Sequence, residues 1–392
     1  MFVQDFVLNG RGFGEVASVV AGTRFDPGLL RPFYDHNTGR PCVTVNTGKT
    51  RYDQTLRIDI PIRETVEIRD LVASGVNSPV FNATTLTKQQ WIHLDTKIIA
   101  AARMRLRAWA DLSAVSSYGG FNGMAVTQIE HQLVTDAGEA LTDMDGLSEG
   151  RTDRPKFGRV SIPLPIHHSS FSYAERELQV SRNNGMGLDT RSAEMAARRV
   201  AEKVEKLLIG TVTGLTYGDS SELVRASKIY GYTNFPDRIT KTDLTTPTGS
   251  NAPTILTDIL DMRDSLYDHK FYGPFALYVG KSWDMFLDAD YSTTGGNNPS
   301  QTLRQRILAV GQEDGGGAIR SVRRLDFLPG YTMIMIQMTS DVAEAINGMD
   351  ITTIQWDGKG GMEKHFKVMS IQVPRIFSDV DGNCGIVHAT VA

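Results

Sequence analysis

Between Asp189 and Gly210 the apolar positions Ala193, Ala196, Val200, Val204, Leu207 and Leu208 return at steps of three and four, which predicts one helix with a single buried face. Asp189 stands where an N-cap carboxylate takes up orphan N–H groups, and Gly210 where a left-handed residue ends the last turn. At about 1.5 Å per residue the helix would be a spar of roughly 30 Å. Its polar faces carry Glu194–Arg198, Arg198–Glu202 and Glu202–Lys206 at four-residue spacing, predicting matched ion pairs along the surface. A second helix is predicted to open at the capping box Thr87-Lys88-Gln89-Gln90. It carries Trp91, Leu94, Ile98, Ala101, Ala102 and Trp109 toward one side and stops at Tyr118-Gly119-Gly120. Arg103, Arg105 and Arg107 spread over more than one of its faces. That reads as a solvated basic surface, with a nucleic-acid contact as the alternative.

From Gly123 to Phe171 the period changes to two. Val160, Ile162, Leu164 and Ile166 alternate with Ser161, Pro163, Pro165 and His167, predicting a strand with one apolar face and, because proline cannot donate to a ladder, a free edge. The run Met124 to Thr135 can pair with it. Between the two lies an acidic tip, Asp136, Glu139, Asp143, Asp145 and Glu149, closed by Arg151 and Arg154. A two-stranded ribbon of this length is marginal alone in water. It is therefore expected to reach onto another molecule, against the alternative of folding back on its own domain. Val160, Ile162, Leu164, Ile166, Glu149, Arg151 and Arg154 are the candidate interface residues.

Turn formers crowd residues 211–252, the best lobe boundary. Beyond it, helices at Ile255–Tyr267, Ser282–Asp290 and Leu303–Val310 alternate with strands at Phe275–Val279, Ile319–Leu325 and Tyr331–Thr339. The last is apolar on both faces and predicted to be central. A short helix from Ser340 or Asp341 to Ile346 precedes two returning strands, Ile351–Trp356 and Met362–Phe377. A short helical piece, Tyr173 to Val180, leads into the spar. Residues 1–83 show short apolar pieces broken by turn formers, with one strand expected at Arg57–Ile60 ended by Pro61. They are predicted to be an arm pinned by a neighbouring subunit.

The totals narrow the classes. At 392 residues the chain exceeds what one core usually holds, and 41% hydrophobic with 22% charged residues is ordinary for a folded soluble chain. No apolar run approaches a membrane span and no leader pattern stands at the N-terminus, so a cytosolic protein is expected. A formal charge of -4 argues against a general nucleic-acid binder. Two cysteines, Cys42 and Cys384, are too few for a disulfide framework or a four-thiolate metal site.

Searches for chemistry end without a site. Gly48-Lys49-Thr50 lacks the earlier glycine of a phosphate loop, since Val43 stands there, and reads as a turn. Asn9-Gly10-Arg11-Gly12-Phe13-Gly14 lacks dinucleotide spacing. Around Asp143-Met144-Asp145-Gly146, Leu141 and Thr152 hold the outer positions of a calcium loop, so oxygen ligands are missing at both ends. His167 and His168 are neighbours on a strand and point to opposite faces. No catalytic residue, cofactor or metal is predicted.

The order of parts resembles the coat proteins of tailed bacteriophages with the Hong Kong 97 fold, and their cellular relatives, the encapsulin shell proteins. The resemblance spans about residues 85–377 and rests on Leu86-Thr87-Lys88-Gln89-Gln90-Trp91, Asp111-Leu112-Ser113-Ala114-Val115, Tyr118-Gly119-Gly120 and Phe171-Ser172-Tyr173-Ala174-Glu175-Arg176-Glu177-Leu178. It continues through Leu188-Asp189-Thr190, Ala196-Ala197-Arg198-Arg199-Val200-Ala201, Gly273-Pro274-Phe275-Ala276-Leu277 and Gly348-Met349-Asp350-Ile351. It implies an α+β chain with an N-terminal arm (1–83), a helical region (84–122), an extended β-hairpin loop (123–172), a peripheral domain (173–253 and 348–392, spine helix 189–210) and an α/β axial domain (254–347). The implied function is structural. As a major capsid protein, copies would form the hexamers and pentamers of an icosahedral head made in the host cytoplasm. The head would enclose double-stranded DNA without sequence-specific binding, alongside portal, scaffold and decoration proteins and without a membrane. The alternative it implies is an encapsulin compartment around a protein cargo; residues 1–83, which encapsulins lack, favour the viral coat.

Overall fold

The computed structural model describes residues 7–8, 11–12, 31–35, 39–53, 58–73, 86, 88–134, 144, 157–183, 190–211, 229–248, 251–289, 301–310, 318–379 and 382–391. In chain order these form β1 (Val7–Leu8), β2 (Arg11–Gly12), β3 (Phe33–Tyr34), β4 (Pro41–Asp53), β5 (Ile58–Glu67), α1 (Ile68–Ala73), α2 (Lys88–Arg103), α3 (Ala108–Val115), β6 (Ser117–Tyr118), β7 (Gln128–Val134), β8 (Phe157–Pro163) and β9 (His167–Ala174). There follow α4 (Glu175–Asn183), α5 (Arg191–Ile209), β10 (Ile239–Leu244), α6 (Ala252–Asp268), β11 (Phe275–Val279), α7 (Asp284–Leu287), α8 (Leu303–Ala309), β12 (Ile319–Arg324), β13 (Thr332–Gln337), β14 (Ala343–Gly358), β15 (Glu363–Ile376) and β16 (Ile386–Val391).

Two sheets carry the body. The first has strand order β6-β14-β15-β9, and the second β10-β16-β13-β11-β12. In the second, β13 is buried at every position and lies between β16 and β11, both antiparallel to it, as its unbroken apolar run predicts. One face of this sheet (Phe275, Leu277, Val279, Met333, Met335) packs under α6 through Ile255, Ile259, Met262 and Leu266. The alternate positions Ala276, Tyr278, Ile334 and Ile336 turn the other way, onto Trp109 and Leu112 of α3 and Val204 and Leu208 of α5.

α5 is the predicted spar. Its small face Ala193, Ala196, Ala197 and Val200 meets Trp91, Leu94 and Ile98 of α2 and Phe366 and Val368 of β15. Gly210 closes it in the left-handed region at φ 100°. Asp189 and Thr87, the expected opening residues of the two long helices, lie outside the described residues. The matched surface pairs do not form. Glu194 instead accepts from the Thr190 hydroxyl, Glu202 lies 3.7 Å from Arg105, and the Lys206 ammonium sits over the Phe327 ring.

Several boundaries differ from expectation. The helix predicted from Thr87 through Trp109 breaks after Arg103 and restarts at Ala108. The segment 340–346 is not a helix from Ser340 or Asp341. β14 is continuous from Ala343 because β15 offers it a long antiparallel partner, from Ala343↔Ile376 to Gly358↔Glu363. Pro61 does not end a strand but lies within β5, opposite Thr50, and Gly48-Lys49-Thr50 is part of β4 rather than a turn, beside a register shift. The expected division at 253/254 and 347/348 gives way as well. β10 and β16 both belong to the five-stranded sheet, which therefore draws strands from either side of residues 254–347. The expected arm is held at least in part by its own subunit. Phe33 and Cys42 pack on Trp91, Leu94 and Ala193, Arg31 pairs with Asp95, and the Trp91 indole donates to the Pro32 carbonyl at 3.0 Å.

Candidate assembly surfaces

The predicted hairpin exists: β7 and β8 pair antiparallel from Gln128↔Pro163 to Val134↔Phe157. Its acidic tip, with Glu149, Arg151 and Arg154, lies outside the described residues. The single strand expected through Val160–Ile166 is two. Pro163 ends β8, Leu164 donates its backbone N–H to the Thr127 carbonyl at 2.9 Å, and the chain re-enters a different sheet at His167.

This break decides which residues face outward. Ile162 and Leu164, each 7% exposed, pack on Leu207, Ile229, Ile346, Ile371 and Val373 of the same chain. A neighbour was expected to cover them; the subunit covers them itself. Val160 is half-buried, beside a cavity of about 130 Å³ that Ile162, Tyr230, Phe235 and Ile376 also line. Ile166, at 44%, stays open, and Val115 and Tyr118 are comparably exposed. The root is held closely: Gly123 donates to the Gly348 carbonyl at 3.1 Å, and a Cβ on Gly123 would stand 2.9 Å from the Gly348 backbone. His131 packs edge-on against Phe377 at 5.2 Å, and burial, with the nearby Arg375 cation, lowers its pKa. Arg375 itself pairs with Glu344 and lies over the rings of Tyr118 and Phe377, tying the root to the middle of the four-stranded sheet.

The second constellation joins α5 and α3 to the five-stranded sheet. Glu205, 2% exposed, accepts the backbone N–H groups of Ala108 at 2.7 Å and Trp109 at 3.2 Å, so a side chain of α5 caps α3. This explains the break after Arg103: the restarted helix points its N-terminus at a buried carboxylate. Burial pushes the Glu205 carboxyl up to about 7, against the opposite pull of its backbone donors. The Tyr278 hydroxyl donates to Asp111 at 3.1 Å, and Tyr278 stacks on Tyr232 with ring centroids 6.2 Å apart. Burial also raises the Asp111 pKa, which the Arg323 guanidinium 2.7 Å away partly offsets. Sequence reading passed over Glu205, although it falls four residues from Ala201 and from Ile209 on the apolar stripe. A carboxylate on a buried face was the available signal.

Arg105 reaches Glu202, and Arg107 borders an open cleft of about 610 Å³ with Arg304, Arg323 and Arg324, whose guanidiniums are engaged by Asp284, Asp288, Asp326 and Asp111. Arg103 is exposed on α2. His167 is buried and His168 exposed, on opposite faces as strand geometry requires. Among the described residues no three His, Cys, Asp or Glu side chains converge as a metal site, and no helix is long and apolar enough to cross a membrane.

The model of a family of unknown function, DUF6260, matches residues 82–389. No curated protein matches the sequence. Among solved structures, the virus-like particle from Pyrococcus furiosus aligns at 14% identity and a TM-score of 0.50, covering 76% of this chain and 97% of that one. The capsid of Myoviridae phage XM1 aligns at 11% identity and a TM-score of 0.50, covering 70% and 90% respectively. Both likenesses place the chain in the Hong Kong 97-like α+β fold that its motif order resembles.

Proposed function

The chain belongs to the family of unknown function DUF6260, and we propose that it is the major capsid protein of a tailed double-stranded DNA bacteriophage, self-assembling into an icosahedral head. The observation that carries this is the extent of the likeness. It takes in 97% and 90% of two chains that build closed particles, so the whole assembling unit is matched rather than one shared lobe. Physical features agree. The hairpin root leaves Ile166, Val115 and Tyr118 exposed beside a body rigidly held by Gly123, Gly348 and Arg375. Singly these side chains are unremarkable, but a repeating contact needs only a modest patch on each copy.

In this reading the role is structural, and the subunit performs no catalysis. Copies meet as hexamers and pentamers, assemble in the host cytoplasm and remain in the virion, with Val160, Ile166 and the tip residues Glu149, Arg151 and Arg154 in the contacts. Portal, scaffold and decoration proteins would complete the head. A compartment around a protein cargo is the second reading, favoured by the extent to which the chain matches the Pyrococcus particle. The test is expression of the full chain, purification of particles, electron microscopy and identification of the nuclease-protected content. Icosahedral shells holding double-stranded DNA in infected cells support the first reading, and shells with protein cargo the second. A soluble monomer at all concentrations overturns both.

A further inference from the structure

The two long helices present a surface that the net charge conceals. Every exposed charged residue of α2 and α5 is a cation: Lys88, Lys97 and Arg103 on the first, Arg191, Arg198, Arg199 and Lys203 on the second. The acids of the same helices are wholly or partly buried and engaged. Asp95 holds Arg31, Glu194 takes the Thr190 hydroxyl, Glu202 faces Arg105 and Glu205 caps α3. Lys97, Arg103, Arg198, Arg199 and Lys203 have no ion-pair partner among the described residues. Both helices bury their apolar stripes in one cluster with Phe366 and Val368, so their open faces point away from the four-stranded sheet. Among the described residues, a layer roughly 25–30 Å long therefore exposes cations while its acids are part-buried and engaged, on a chain of net charge -4.

From this we infer that the outward face of the α2–α5 layer is a contact surface for the phosphate backbone of double-stranded nucleic acid. Duplex DNA offers one negative charge per about 1.7 Å of its axis, and binding by such a face draws on released counterions rather than on base identity. Three features fit that partner: the fully exposed charges are all basic and spread over two adjacent tracks, they sit on long flexible stems, and the acids Asp95, Glu194 and Glu202 are part-buried and engaged by other groups. Ile92, Ile99 and Met195 are exposed among them. They add apolar surface but no pocket for reading a base. The layer carries no sequence preference. In a shell of the kind proposed above it would face the enclosed duplex, but the binding belongs to the subunit and is measured there, so its failure leaves the shell reading standing.

The experiment measures binding of the full-length, unassembled chain to a random-sequence 30-base-pair duplex by fluorescence anisotropy, across a series of sodium chloride concentrations. The quadruple variant Lys97→Gln, Arg198→Gln, Arg199→Gln, Lys203→Gln is compared with a control triple on the other lobe, Lys281→Gln, Arg306→Gln, Arg320→Gln, all exposed positions. Removing one cation–phosphate pairing flattens the plot of log K against log salt by about 0.9, so the quadruple variant is expected to lower the slope by up to about 3.6. The control triple is expected to leave it unchanged. The variant Arg198→Lys, Arg199→Lys keeps the charges and should keep the slope. The inference is overturned if the wild-type chain shows no salt-dependent duplex binding, or if the two neutralised variants lose slope alike. It is equally overturned if a peptide of residues 136–149 binds through the same four cations while the duplex does not, which would make the face a contact between copies.

Discussion

Replacing Glu205 by Gln tests how α5 holds the start of α3. The carboxylate is 2% exposed and holds the first turn of α3 through Ala108 and Trp109. Burial raises its pKa from 4.5 to about 7. A carboxyl whose folded pKa lies above its unfolded value binds more protons when folded. Its contribution is thus fully present below pH 4.5 and is lost as the pH rises through 7. At about 1.36 kcal/mol per pH unit, the loss across that window is roughly 3 kcal/mol. Gln keeps one acceptor oxygen and cannot ionise. It gives up one of the two backbone hydrogen bonds, at about 1–3 kcal/mol, but removes the pH dependence. Urea unfolding of the unassembled chain at pH 5 and pH 8, followed through tryptophan emission, separates the two effects. The wild type should be the more stable at pH 5, and the two should converge or cross by pH 8. The buried His167 and the half-buried His131 and His388, all with lowered pKa values, gain stability over part of the same range, but do so in both proteins and cancel in the difference. Parallel pH profiles for wild type and variant would refute the assignment.

The hairpin root yields a paired contrast. Ile162→Asp or Leu164→Asp should lower subunit stability by about 3 kcal/mol or more, because each buries a charge in the subunit's own core, whereas Ile166→Asp should change it by less than about 0.5 kcal/mol yet reduce particle yield. Melting of the unassembled chain and electron microscopy of expressed particles read the two halves. Gly123→Ala forces its Cβ onto the Gly348 backbone at 2.9 Å and should speed amide exchange through Gln128–Val134, with little effect at β13. Arg375→Ala leaves the part-buried Glu344 carboxylate without its cation and should cost up to about 3 kcal/mol, while changing both residues to Met should recover much of that loss in denaturant unfolding.

What the sequence shows plainly is whatever has a period of its own. The α5 stripe, the β7–β8 pairing and the doubly apolar β13 each repeat over enough residues to outweigh local ambiguity. What it hides depends on partners far along the chain. Ala343-Glu344-Ala345-Ile346 has helical propensity, yet it lies opposite Val373–Ile376 and becomes strand because pairing there satisfies its backbone groups. The lobe boundary fails for the same reason, since β10 finds its parallel partner β16 about 150 residues away. Ile162 and Leu164 read correctly as a greasy face, but their covering comes from Ile346, Ile371 and Val373, which no local pattern links to them.

The charges on α5 show how such long-range competition reaches function. Spacing of four pairs Glu194 with Arg198 and Glu202 with Arg198 or Lys206, a set of ion pairs worth only about 0.3–0.5 kcal/mol each on an exposed helix. Other partners displace interactions that weak: the helix's own N-cap Thr190 takes Glu194, while Arg105 and Phe327, distant in sequence, take Glu202 and the Lys206 ammonium. The acids that would have paired with the arginines are thereby part-buried and engaged elsewhere, and Arg198 and Arg199 stay exposed. A polyanion approaching in physiological salt senses charge within a Debye length of about 8 Å, far less than the length of the helix. It therefore meets the exposed Arg198, Arg199 and Lys203 beside the part-buried Glu202 rather than the chain's overall -4, and a sequence that is acidic as a total is locally basic where the two long helices face outward.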